Sequence, residues 1–239
     1  MKKYMLLFSA VAMMLCSCSK WAGEPVTETF SVDGTYTTLV VQDAFDVTVS
    51  DEVSQVTVTV GEKIMPKVHV EKDGTTLKIY LKNWTVGTGD MKVLLPYNPD
   101  LATVSLSGAS EFHSAFAIAG QDVEVECSGA SSFIGIVDAA ELTLSLSGAS
   151  EAVIDGTADR INMDISGSSN LERKIIDNRY SLACNQCECA ISGSSDAYIH
   201  CDGTIKGSVS GSSELHYTGN ASTTECSTSG SSEITHDVL

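Results

Sequence analysis

Three groups of residues have types and spacings that chemistry could use. The first is thiol-rich: Cys184-x-x-Cys187-x-Cys189, with Cys201 beyond it. Four thiolates can hold a tetrahedral metal ion, and two can form a disulfide. The second is acidic: Asp196, Glu214 and Glu233 each follow a Ser-Gly-Ser-Ser phrase. The third is the basic cluster Arg173, Lys174 and Arg179 beside Tyr180, on a chain whose formal net charge is −17. Hydrolytic chemistry finds less support. A serine nucleophile needs a neighbouring base, and none recurs beside Ser107, Ser128, Ser147, Ser166, Ser192, Ser210 or Ser229. The five histidines, His69, His113, His200, His216 and His236, share no site spacing, and phosphate-loop and zinc-protease motifs are missing from the sequence.

The elements that position these groups follow from a repeat. The phrase x-Ser-Gly-[Ala/Ser]-Ser occurs seven times, with its glycine at 108, 129, 148, 167, 193, 211 and 230. The intervals are 21, 19, 19, 26, 18 and 19 residues, so one coil carries an insertion, Asn170 to Gln186. Apolar columns stand two before the glycine (Leu106, Cys127, Leu146, Ile165, Ile191, Val209) and four after it (Phe112, Phe133, Ala152, Leu171, Ala197, Leu215, Ile234). They alternate with polar positions, the period of strands with one buried face. A unit of this length cannot bury its apolar side alone, but stacked units can. The expectation is an all-β, single-domain parallel β-helix with coils of about 19 residues, the glycine at each corner and the serines beside it in ladders.

This frame reassigns the candidates. Cys127, Cys189 and Cys226 fall in inward columns, where cysteine serves as a small hydrophobe. Cys184 and Cys201 stand nine and ten residues before successive glycines, so they can meet on adjacent coils, as core thiols or as one disulfide. The sequence is therefore read without a metal site and without a cofactor. Asp196, Glu214 and Glu233 form one exposed file about 4.8 Å apart. The file is read as a cation or cationic-ligand site, or alternatively as a solvated edge that resists aggregation. Arg173, Lys174, Arg179 and Tyr180 lie on the inserted loop, a place for a partner. The last coil ends almost at Leu239, which predicts that this end pairs with a second copy or a partner.

The N-terminus begins with Lys2 and Lys3, followed by an apolar run from Met5 to Leu15, shorter than the roughly 20 residues a membrane-spanning helix needs. Leu15-Cys16-Ser17-Cys18 resembles a bacterial lipobox, which implies a signal peptide over residues 1–17 and acyl chains on Cys18. Loss of Lys2 and Lys3 with that peptide takes the net charge from −17 to −19, which excludes a nucleic-acid footprint. Residues 18–29 are read as a tether, 30–100 as irregular opening coils and 101–239 as regular repeats.

The order AFDVTVS, VTVTVGE, DGTTLKIYL, MKVLLPYNPDLATVSLSGASEF and then serial LSLSGAS units resembles the head GIN domain family, over about residues 30 to 239. Members of that family are described as putative auto-transporter adhesins. The resemblance implies an envelope protein of bacteria of the Bacteroides type, and it transfers no catalytic residue. The expected function is a non-enzymatic, lipid-anchored outer-membrane protein, at the cell surface or on the periplasmic face, acting in adhesion through a protein or glycan partner. A periplasm-facing scaffold is the alternative. A β-helix enzyme acting on polysaccharides is the remote one, because the turns are short and no groove of acids with Arg or Lys is evident.

Overall fold

The computed structural model describes residues 22–83 and 89–239. The expected signal peptide and Cys18 lie outside them. Apart from a 3-10 turn at Met65–Lys67, the regular elements are strands, so the all-β expectation holds. In chain order they are β1 (Pro25–Phe30), β2 (Thr38–Val41), β3 (Asp46–Ser50), β4 (Val56–Gly61), β5 (Val68–Asp73), β6 (Thr76–Leu81), β7 (Lys92–Pro96), β8 (Thr103–Leu106), β9 (Glu111–Cys127) and β10 (Ser132–Leu146). There follow β11 (Glu151–Ile165), β12 (Asn170–Leu171), β13 (Ile175–Ile176), β14 (Arg179–Tyr180), β15 (Leu182–Ile191), β16 (Asp196–Gly211), β17 (Glu214–Thr218), β18 (Ser222–Gly230) and β19 (Glu233–His236).

The repeat segments pair in parallel. β10 and β11 run in register from Ser132↔Glu151 to Leu146↔Ile165, an offset of one repeat. β9 precedes β10 in the same way, and β15, β16 and β18 follow β11. Between β11 and β16 the insertion splits one layer into β12 and β15, so these four strands close a circuit of parallel pairings. The inward columns are buried until the last layer, where Cys226 and Ile234 are half-buried, and the rings of Phe112 and Phe133 stack at 5.3 Å inside the column.

At the corner the seven glycines have φ between 79° and 91°. A Cβ on Gly148 would stand 2.5 Å from the Gly129 oxygen, so positive φ and close approach both require glycine. The buried hydroxyl ladder is not the serine before the glycine but the second one after it: Ser110, Ser131, Ser150, Ser169, Ser195 and Ser213. Ser195 Oγ donates to the Ser192 carbonyl at 3.1 Å and accepts from the Ser169 amide of the preceding coil at 3.3 Å. At Ser169, whose amide points to Ser195 Oγ, the hydroxyl gives a buried backbone group its partner.

The opening region departs from a sequential stack. β2 and β3 form a layer between β8–β9 on one side and β6–β7 on the other, so the chain lays β6–β7 outside a layer it has already made. β4 pairs antiparallel with β1 and β7, and β5 with β6. Residues 25–29, expected in the tether, thus belong to the sheet. The β2–β3 corner is a repeat corner in disguise. Ser107, Ala109 and Glu111 donate their amides to the carbonyls of Val41, Asp43 and Phe45. Asp43 takes the glycine's place with φ 75°, and its carboxylate accepts the Leu81 amide at 2.7 Å. Phe45, fully buried, replaces the ladder serine.

Candidate functional site: the inserted hairpin and its bed

The insertion folds as a small antiparallel hairpin, with Ile175↔Tyr180 and Ile176↔Arg179 opposite one another. Its two-residue turn is Asp177-Asn178, with φ of 51° and 58°. Asp and Asn tolerate this left-handed region better than other side chains, and such a turn matches the twist of a tight hairpin. The base is fixed to the coils: the Ser181 amide donates to the Lys174 carbonyl at 2.9 Å, Ser181 Oγ donates to the Ile154 carbonyl at 2.8 Å, and Lys174 forms an ion pair with Asp155.

Tyr180 turns back onto the stack. Its amide donates to Thr218 Oγ1 at 3.3 Å and its phenol donates to Asp237 Oδ2. Its ring meets Tyr198 edge-on at 5.4 Å, and Tyr198 stacks on His216 at 4.8 Å. His216 Nδ1 lies 3.0 Å from Asp237 Oδ2, and its Nε2 lies 2.9 Å from Glu214 Oε2. Burial, and then the bond to Asp237, push the Tyr180 phenol well above its usual range. Burial also raises Tyr198, with Asp196 and Glu214 adding to it and Arg173 opposing.

These contacts bring two expected sites together in part. Asp196, Glu214 and Glu233 are consecutive register partners, and β14 of the inserted loop packs on β16 and β17, which carry Asp196 and Glu214. Glu214 is engaged by His216 rather than standing free. Tyr180, expected to present itself to a partner, is buried instead and anchors the loop, because its ring fills the space beside Tyr198. Arg173 and Arg179 are exposed, as are Ile175 (45%) and Ile176 (41%). The hairpin therefore offers apolar surface flanked by two guanidinium groups, on an acidic protein.

Cys184 and Cys201 are register partners and both are buried; the Cys201 thiol faces the carbonyls of Asn185 at 3.6 Å and Thr204 at 3.7 Å. The neighbouring Cys201 thiol, and then burial, push Cys184 up, while the proximity of Cys184 shifts Cys201 down. The six described cysteines are free thiols. The thiol quartet does not converge as a metal site. Among the described residues, the group that could hold an ion is Asp46, Glu111 and His113, whose ligand atoms lie within 4.8 Å of one another. His113 is the one histidine of this group, so the five histidines still share no common site among the described residues. The signal was Glu111-x-His113 on one strand face, but its third member depends on the disguised corner at Asp43.

Comparison with known proteins agrees with this architecture. A putative adhesin from Bacteroides fragilis superposes with TM-score 0.69 at 18% identity, covering 89% of this chain and 96% of that one. A putative lipid binding protein from Parabacteroides distasonis gives 0.65 at 21% identity, covering 90% and 97%. A putative adhesin from the same species gives 0.63 at 22%, covering 90% and 95%. No curated protein matches the chain in sequence. Residues 35–221 match the family model described as "Putative auto-transporter adhesin, head GIN domain", and the chain belongs to that family.

Proposed function

We propose that this is a non-enzymatic, lipid-anchored envelope protein that makes adhesive contacts, and that the inserted hairpin is its contacting element. The observation that carries the reading is the pair Ile175 and Ile176, exposed between Arg173 and Arg179 on a hairpin held by Tyr180. Exposed apolar side chains on an anchored hairpin, beside arginines, have the composition of a contact surface. Family membership and the neighbours described as adhesins support the same reading.

The finer features fit together on this view. The parallel stack is a β-helix whose layers were reordered at the N-terminal end. Cys18 carries the lipid and fixes the protein to the outer membrane. The carboxylates Asp196, Glu214 and Glu233 line the coils under the hairpin and favour a cationic partner group. A scaffold role facing the periplasm is the second reading, favoured by one feature: among the described residues β18 pairs with β16 alone and β19 with β17 alone, which leaves their outer edges for a second copy.

The test compares intact cells carrying the natural protein and the Ile175→Ser/Ile176→Ser variant. Protease accessibility reports surface exposure, and binding to host cells and glycan arrays reports adhesion. Surface exposure with binding lost in the variant supports the proposal. Binding unchanged in the variant removes the hairpin from it, protection from protease moves the protein to the scaffold reading, and cleavage of acidic polysaccharides by the purified chain overturns the non-enzymatic assignment.

A further inference from the structure

At the other end of the stack, Asp46 on β3 is the register partner of Glu111 on β9, and His113 lies two residues further along β9 on the same face. His113 Nε2 stands 3.3 Å from Glu111 Oε2 and 3.8 Å from Asp46 Oδ1. That one nitrogen faces two carboxylate oxygens, and a single N–H can serve only one of them well. Asp46 Oδ1 is buried and has no hydrogen-bond partner. A buried acceptor without a donor is costly, and such a group calls for an explanation.

We propose that Asp46, Glu111 and His113 form a binding site for a divalent transition-metal ion of the zinc type, with His113 Nε2 and one oxygen of each carboxylate as ligands. Bonds of about 2.0–2.2 Å in tetrahedral geometry place ligand atoms roughly 3.3 Å apart. The separations from His113 Nε2 are 3.3 and 3.8 Å and all three ligand atoms lie within 4.8 Å of one another, so the side chains close in on an ion by at most about 1.5 Å. Three protein ligands leave the fourth position to water or to an outside donor. The imidazole nitrogen selects against calcium and magnesium, which prefer oxygen alone. The side chains are 36% to 55% exposed, so an ion can enter from solvent. Lys92, the register partner of Asp46 on β7, is a cation beside the site that weakens binding.

The fold contains its own comparison. Glu214 and His216 repeat the Glu-x-His spacing at the equivalent place in a later coil, but there Glu214 contacts Nε2 and Asp237 contacts Nδ1. Two carboxylates on opposite nitrogens cannot chelate one ion. His69 with Glu71, and His200 with Asp202, each offer a single carboxylate.

The test is zinc titration of the metal-stripped full chain, by calorimetry and by competition with a chromophoric chelator. The variants are His113→Ala, His113→Gln, Asp46→Asn, His216→Ala and Cys184→Ser/Cys201→Ser, with folding checked by circular dichroism. The expected result is one zinc per chain that equimolar calcium does not displace. Affinity falls more than about tenfold in the His113 and Asp46 variants, persists in the His216 and cysteine variants, and rises in Lys92→Gln. Equal zinc affinity in the His113 and Asp46 variants overturns the proposal, and so does binding lost only in the cysteine variant. Since His113 is partly exposed, the glutamine variant keeps the test decisive even where alanine disturbs the strand.

Discussion

The phenol of Tyr180 donates a hydrogen bond to the carboxylate of Asp237, 57 residues later in the chain. This contact joins the insertion in one coil to the segment that follows the last strand. It places the hairpin and the C-terminal layer in one unit, with His216 and Glu214 completing the chain of bonds. Loss of the hydroxyl leaves Asp237 with His216 alone. Tyr180→Phe is expected to lower stability by about 1.5–3 kcal/mol, the range for a hydrogen bond to a charged group. It should also speed proteolysis within residues 172–181 before the rest of the stack opens. Denaturant unfolding and limited proteolysis with mass mapping measure the two effects.

The two serines of the repeat phrase should respond differently to substitution. Ser195 is fully buried and both donates and accepts across coils. Ser195→Ala removes both bonds and strands the Ser169 amide, which should cost roughly 1–3 kcal/mol. Ser192 is only half-buried, and Ser192→Ala should stay within about 0.5 kcal/mol of the natural protein. Chemical denaturation of both variants checks the contrast.

Cys184 and Cys201 need no backbone rearrangement to form a bond, since they already face one another on adjacent strands. In an oxidising glutathione buffer the chain should lose two free thiols and two hydrogens, with the pair identified by peptide mass. The closed loop is short, so the bond should add about 3 kcal/mol of stability. Cys127, whose thiol burial pushes to about 12, should resist alkylation at pH 8 in the folded protein.

Tyr36 predicts an alkaline limit. Its hydroxyl is buried without a hydrogen-bond partner, and burial raises the phenol to about 12 from an ordinary 10.0. Between those values the unfolded chain releases the proton and the folded chain keeps it. The unfolded state then binds fewer protons, so stability is intact below pH 10.0 and falls as pH rises toward about 12. Tyr36→Phe should remove this component of the alkaline loss. At neutral pH it should leave stability unchanged or raise it by up to about 1 kcal/mol, because an unsatisfied buried hydroxyl disappears. Thermal melts of both proteins from pH 8 to 11 measure the difference.

Much of the stack was legible from residues alone, because its rules are local. Side chains alternate along a strand, and the left-handed corner strongly favours glycine, so counting from Gly193 and Gly211 was enough to place Cys184 beside Cys201. The same counting put Asp196, Glu214 and Glu233 in one file. It could not separate the fully buried serine from the half-buried one, since the two hydroxyls differ only in which way the corner turns them.

What the tertiary structure decided lies where the chain meets itself out of order. Strand pairing depends on matched edges and apolar faces, not on sequence order, so β6–β7 could settle outside β2–β3 while β8–β9 took the inner side. Asp43 stands in the glycine column, where its tolerance of positive φ and its bond to the Leu81 amide hold it, and the fully buried Phe45 stands in the serine column. Only through that substitution does Asp46 come to face Glu111 and His113. Tyr180 likewise looks like a surface residue in the sequence and is drawn inward by Tyr198 and Asp237, neither of which is near it along the chain. Local residue pattern set the strands, their glycine corners and their parallel register; the order of the layers, and the clusters that form where they touch, were set by long-range packing.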